Sequence, residues 1–162
     1  MASHSSENSK SLYFEDFAVG RIFEWGELSV TLESILEFGK LYDPVPIHVD
    51  PVAASESIFG GLVASGWQVA SLMQRMQYEC YIKRSAVISS PGVDKIDWLV
   101  PVRPNDRLSL RVEVTEAQIS RSRPDRGLVR IHAAVINQKG ETVMIKHGKS
   151  FFFTSKALKS AE

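Results

Sequence analysis

Asp43 and His48 stand five positions apart inside the stretch Tyr42-Asp43-Pro44-Val45-Pro46-Ile47-His48-Val49-Asp50. An ionised carboxylate is a base, and an imidazole gives or takes a proton near neutrality, so the pair can activate one water. Such groups act only when held closely in place, and the chain between them is stiffened. Pro44 and Pro46 each fix their own φ and push the residues before them, Asp43 and Val45, toward extended geometry. The alternation predicts a turn that is neither regular helix nor central strand. The same spacing also fits a turn-capping aspartate next to an ordinary, partly buried histidine.

Residues 58 to 72 add a second half to the pattern, a glycine-rich entry into an apolar helical sequence. Asp-x-x-Pro-x-His-x-Asp-Pro from Asp43, then Ala53-Ala54, Phe59-Gly60-Gly61 and Ala64-Ser65-Gly66, resembles the MaoC-like dehydratases, the family of (R)-specific enoyl-CoA hydratases with a hotdog fold. Phe14-Glu15-Asp16-Phe17-Ala18-Val19-Gly20 looks like that family's opening strand. Ser90-Pro91-Gly92-Val93 and the run from Trp98 to Asp106 look like its long central strand and the turn after it. The resemblance spans residues 12 to 153.

The resemblance implies hydration of a 2-enoyl thioester to the (R)-3-hydroxyacyl thioester, or the reverse, on an acyl-CoA or acyl-carrier substrate with no other cofactor. It makes Asp43 the base and His48 the partner that orients water and relays the proton. Gly66 would offer its N–H to the thioester carbonyl at a helix start, where amides lack partners and the dipole is positive. Close helix–sheet packing is the other reading of Gly66, and the two are compatible. Ser65 either positions the ligand or caps the helix. Val45, Phe59 and Trp67 are further candidate substrate contacts. The chain departs from the family at Val45, often Asn, and at Ser65, often His. Two alternatives stay open: a hotdog acyl-CoA thioesterase, and a catalytically silent acyl-thioester-binding or partner subunit.

Other candidates are weaker. Arg121, Arg123 and Arg126 form a basic cluster with Arg130, read either as a solvated loop paired with Asp125 or as a clamp for coenzyme A phosphates. His48 and Asp50 lack a second His or Cys cluster at ligand spacing, so no metal site is expected. Ala64-Ser65-Gly66 lacks the earlier glycine of a nucleophile elbow.

Composition fits one globular domain: 162 residues, 44% apolar and 23% charged. Nineteen basic and nineteen acidic residues cancel, which gives no electrostatic case for nucleic acid or an anionic membrane. A lone cysteine, Cys80, fits a reducing compartment, and a polar start without an apolar core fits neither signal peptide nor anchor. The chain is therefore expected to be cytoplasmic. A disordered polar tail is expected at 1–11, a single domain at 12–155 and a C-terminal tail at 156–162.

The elements that must position the site can also be read. Thr31 is a candidate N-cap for a helix to about Leu41, with Leu32, Ile35, Leu36 and Gly39 inward. A second helix is expected from near Leu62 to near Tyr81, with Leu62, Gly66, Val69, Met73 and Met76 as its stripe. From residue 87 the period becomes two. Leu108, Leu110, Val112 and Val114 alternate with polar residues, as do Val129, Ile131, Ala133 and Val135. A turn at Gln138-Lys139-Gly140 leads to Val143 and Ile145. Phe151-Phe152-Phe153 is apolar on both faces, which points to a partner on one of them. The sum is an α+β hotdog: an antiparallel curved sheet of five or six strands wrapped around a central helix, with an additional short helix before the active-site turn. A homodimer or higher oligomer is expected from the apolar surface left over.

Overall fold

Alternation of apolar and polar residues builds the sheet of the computed structural model, which describes residues 12–159. The elements in chain order are β1 (Ile22–Ser29), α1 (Leu32–Tyr42), α2 (Pro46–Val49), α3 (Pro51–Glu56), α4 (Gly66–Cys80), β2 (Val87–Trp98), β3 (Arg107–Ile119), β4 (Arg126–Ile136), β5 (Thr142–Phe153) and α5 (Ser155–Lys159). The five strands form one sheet in the order β1-β3-β4-β5-β2, and every pairing is antiparallel. Leu108, Leu110, Val112 and Val114 of β3 and Val129, Ala133 and Val135 of β4 point into the core. There they meet Val69, Met73 and Met76 of α4, the central helix that the sheet wraps. This is the expected hotdog arrangement.

Several expectations change in detail. Phe14–Asp16 is a 3-10 turn, not strand, tied by the Tyr13 N–H to the Asp16 carboxylate at 2.8 Å, and the first strand begins only at Ile22. The central helix starts four residues later than its apolar pattern, at Gly66. Residues 62–64 are buried but not helical, because Val63 N–H donates to the Ile47 carbonyl and Ala64 N–H to the Val102 carbonyl. β2 is an edge strand of this chain, where Pro91 removes no ladder donor that matters. In β5 the inward set is Met144, Lys146, Gly148 and Phe152, with Ile145 turned the other way. An irregularity at the start of the β4–β5 pairing shifts that phase.

The three phenylalanines are largely covered within the chain. Phe152 packs on Phe17 at 4.2 Å between ring centroids, and the Arg126 guanidinium lies over Phe153. Leu32, expected inward, is exposed. Residues 155–159 are helical rather than a tail, with the Ser155 N–H donating to the Glu15 carboxylate. The polar tail read at 1–11 lies outside the described residues, as do residues 160–162. Among the described residues no helix is long and apolar enough to cross a membrane.

Candidate active site

Three segments meet at the first turn of α4. Asp43 comes directly after α1 with φ −151° and ψ 71°, outside helical space, as a residue before proline must be. Val45 is also extended, and its backbone alone serves the turn. Its N–H donates to the Asp43 carbonyl at 2.8 Å, and its carbonyl accepts the His48 N–H at 2.8 Å. Pro46 then occupies the first position of α2, where a missing N–H costs nothing. The segment expected to be wholly irregular therefore contains one helical turn, and His48 sits in it. The close approach of α1 depends on Gly39. A Cβ there would lie 2.8 Å from Val49 Cγ1 and 3.0 Å from the His48 carbonyl oxygen.

His48 is buried, and its Nδ1 lies 2.8 Å from the Val63 carbonyl oxygen. A carbonyl only accepts, so the proton is assigned to Nδ1 and Nε2 is the nitrogen turned toward Asp43. Nε2 stands 3.4 Å from Asp43 Oδ2. Ser65 Oγ donates to the same Oδ2 at 2.7 Å and accepts the Trp67 N–H at 3.2 Å. Ser65 thus caps α4, one of its two expected roles, and also fixes the carboxylate, a contact its sequence position does not announce. At 1% exposure its hydroxyl is turned away from solvent.

A cavity of about 410 Å³ opens over this cluster. Asp43, His48, Phe59, Gly66 and Trp67 line it, so five of the expected site residues come together. Ser65 lies behind Asp43, and Val45 does not line the cavity. Arg121, Arg123 and Arg126 do not either. Arg126 pairs in register with Phe153, at the opposite end of β5 from the lining residue Val143. Ten residues of strand separate those ends, on the order of 30 Å. Arg126 is engaged with Asp125 at 2.9 and 2.7 Å, as the solvated-loop reading had it.

The rest of the lining was not singled out in the sequence. Trp98, Leu99, Val100 and Pro101, where β2 ends, form the opposite wall. Trp98 Nε1 donates to the Gly66 carbonyl at 2.8 Å, and its ring meets Trp67 edge-on at 5.4 Å. A Cβ on Gly66 would lie 2.7 Å from Trp98 Cε2. Gly66 therefore has a packing reason to be glycine. As the first residue of α4 it also keeps an N–H with no intrahelical partner. Among the described residues no group of three or more His, Cys, Asp or Glu could hold a metal ion.

The MaoC like domain family matches residues 18–136, from before β1 to the end of β4. The chain belongs to that family. A MaoC-like dehydratase from Rhodospirillum rubrum superposes with a TM-score of 0.84 at 35% identity, over 89% of this chain and 98% of its own. The uncharacterized protein YdeM of Bacillus subtilis is 29% identical over 77% of this chain and 87% of its own length. The (R)-hydratase PhaJ1 of Pseudomonas aeruginosa shares the fold, with a TM-score of 0.68 at 20% identity over 89% of this chain and 86% of that one.

Proposed function

We propose that this MaoC-like protein adds water to, or removes it from, a 2-enoyl thioester. One observation carries the reading: His48 Nε2 and Asp43 Oδ2 face each other at 3.4 Å on the wall of a largely apolar cavity. A water within about 2.8 Å of both atoms would be held by two acceptors and aimed by them. Asp43 takes one water proton as the oxygen bonds to C3. His48 Nε2 holds the other hydrogen, and its Nδ1–H bond to Val63 fixes the ring. The proton taken up by the pair is returned to C2, so the protein ends the cycle unchanged. The Gly66 N–H receives the charge that develops on the thioester oxygen, a donor typically worth about 3–4 kcal/mol. In the reverse direction the same groups remove the C2 proton and the C3 hydroxyl.

Two observations weigh against the alternatives. Glu79, the one carboxylate on α4, is in its last turn and paired on the surface with Arg75 and Lys83, far from a thioesterase role. The turn at Val45 is held through backbone, so the lack of an asparagine there does not loosen the dyad. The substrate is read as an acyl-CoA or acyl-carrier thioester, used without another cofactor. Two copies of this chain are the expected assembly. β2 is a twelve-residue edge strand; Trp98 at its end, Leu99 after it and Trp67 on α4 are 45%, 53% and 61% exposed. A monomeric mass by light scattering at micromolar concentration would count against the dimer.

The activity is tested on a panel of straight-chain 2-enoyl-CoAs by tracking loss of the conjugated thioester absorbance, with chiral analysis of the product. Turnover to the (R)-3-hydroxyacyl-CoA supports the proposal. Inactivity across the panel, or release of free thiol instead, would overturn it.

A further inference from the structure

Arg103 follows the lining residue Val102 and bonds to the carbonyl of the lining residue Phe59, and nothing in the proposed chemistry uses it. Its own position is fixed tightly. Pro104 and Asn105, the latter at φ 69°, form the centre of a turn closed by the Asp106 N–H to the Arg103 carbonyl. The Asp106 carboxylate accepts the Arg103 backbone N–H at 2.8 Å. From this anchor the side chain crosses to another loop. Nη2 donates to the Phe59 carbonyl at 2.5 Å and Nη1 to the Gly61 carbonyl at 3.2 Å. Among the described residues no carboxylate lies within ion-pair distance of the guanidinium, so its fork is spent on two backbone oxygens.

The loop it holds is otherwise shaped by bonds within residues 54–61, and Arg103 is what ties it to the turn after β2. Gly60 and Gly61 adopt φ 62° and 154°, conformations that side-chain-bearing residues rarely take, and these two positions are natural hinges. The loop's other bonds are local: the Ser57 N–H and hydroxyl to the Ala54 carbonyl, the Phe59 N–H to the Ser57 hydroxyl at 3.1 Å, the Gly60 N–H to Ser57 and the Gly61 N–H to Ala54. Phe59, between the hinges and the local bonds, lines the cavity. A planar fork suits this task, since its two donors bridge two carbonyls at a fixed spacing where an ammonium offers a single point.

We propose that Arg103 is a positioning residue that latches residues 57–61 to the turn after β2, sets Phe59 as a wall of the cavity, and so determines which acyl groups fit. The choice of acyl thioesters as ligands rests on the function proposed above; the latch itself does not. Arg103 acts through Phe59 and touches no reacting atom.

The test uses the full chain as wild type, Arg103→Ala, Arg103→Lys, Phe59→Ala and the Arg103→Ala/Phe59→Ala pair. Hydrogen exchange is read by peptide, and binding of saturated acyl-CoAs from four to twelve carbons is read by Trp67 and Trp98 fluorescence. In Arg103→Ala, exchange across residues 57–61 should rise at least tenfold while β3 and β4 stay unchanged, with Arg103→Lys in between. The preference among chain lengths should flatten in Arg103→Ala and in Phe59→Ala, and the pair should be no worse than Phe59→Ala alone. Unchanged exchange in the loop overturns the proposal. So does faster exchange spread over the whole chain in both arginine variants, which would make Arg103 a general structural residue. Additive effects of the two substitutions also overturn it. If the wild type binds no acyl-CoA, the function proposed above fails, and the exchange result alone decides the latch.

Discussion

The two ends of α4 each carry a chain of three polar side chains, and they are built for opposite purposes. At the first turn Ser65, Asp43 and His48 are linked beside an open cavity. Near the last turn Lys146 Nζ donates to Gln77 Oε1 at 2.7 Å, and Gln77 Nε2 donates to the Tyr81 hydroxyl at 2.7 Å, inside the core. Burial decides the second cluster. With no carboxylate to repay desolvation, it pulls the Lys146 ammonium down to about 8 and pushes the Tyr81 phenol well above its usual range. The first cluster pairs a carboxylate with an imidazole and leaves them a face on which a ligand and a water can sit. The two clusters thus differ in access and in the kind of groups they pair, not in hydrogen bonding.

The comparison breaks most sharply if the dyad can be dismantled without loss. Asp43→Ala and His48→Ala should each lower kcat by about a thousandfold, and the double substitution should cost little more than either, as for groups acting as a unit. Steady-state rates on the best enoyl-CoA of the panel check this. Most of kcat surviving in either variant would remove the cavity end of α4 from the chemistry.

A second substitution sharpens the two readings of Gly66. Its Cβ would meet the Trp98 ring, which is half exposed but tied by Nε1 to the Gly66 carbonyl, so the indole must shift to admit it. Alanine keeps the backbone N–H, so Gly66→Ala should lower kcat/KM by roughly tenfold to a hundredfold only by displacing that donor from the carbonyl. Overpacking against Trp98 should cost about 1–3 kcal/mol of stability. Adding Trp98→Ala should restore activity if only the indole was in the way. Failure of that rescue would place the damage at the carbonyl site itself.

Ser65 tests how far the first cluster depends on orientation. Ser65→Ala should cost about 1 kcal/mol of stability as a lost cap and lower kcat by roughly tenfold as Asp43 loses its anchor. Chemical denaturation and kinetics measured on the same preparation separate the two. A loss of stability with kcat intact would reduce Ser65 to its capping role.

The smallest effect belongs to the core cluster and is a slope. The folded pKa of Lys146 lies below its ordinary 10.5. Between the two values the unfolded chain binds the extra proton, so stability rises with pH. The clean window runs from about 8 up to 9.0, the ordinary value for the Cys80 thiol. Above it, burial of the Cys80 thiol and the Tyr81 phenol acts in the opposite sense, because the unfolded chain ionises first. The rise in the window should reach about 1 kcal/mol per pH unit at most. It should vanish in Lys146→Met, whatever that change does to absolute stability. Denaturation midpoints at pH 7, 8 and 9 check this, and a slope that persists in Lys146→Met would assign it to another group.

How much of this was legible in the sequence varied with the range of the interactions. The strands β3 and β4 can be read from alternation alone, because one face of each is core and the period is two. Thr31 as N-cap and the stop of α1 before Pro44 come from local chemistry. Asp43 and His48 were legible as a pair because prolines on either side of Val45 restrict the chain in a way few other uses require. The opening of α4 was misplaced because Leu62, Val63 and Ala64 are as apolar as a helix face. Burial set that pattern, and hydrogen bonds to Ile47 and Val102, distant in sequence, set the conformation.

What the sequence determined by itself is therefore the family, the two longer helices, the alternating strands and the residue types of the Asp43–His48 pair, since these rest on short-range constraints and a motif. Tertiary structure alone decided the remainder. It turned Ser65 onto Asp43 across 22 positions and His48 onto Val63 across 15. It laid Trp98 over Gly66, carried Arg126 to the far end of the sheet and set Arg103 on the carbonyl of Phe59. The reason is physical: side chains from separate elements converge only after the sheet has curled around α4, and no periodicity along the chain encodes which of them will touch.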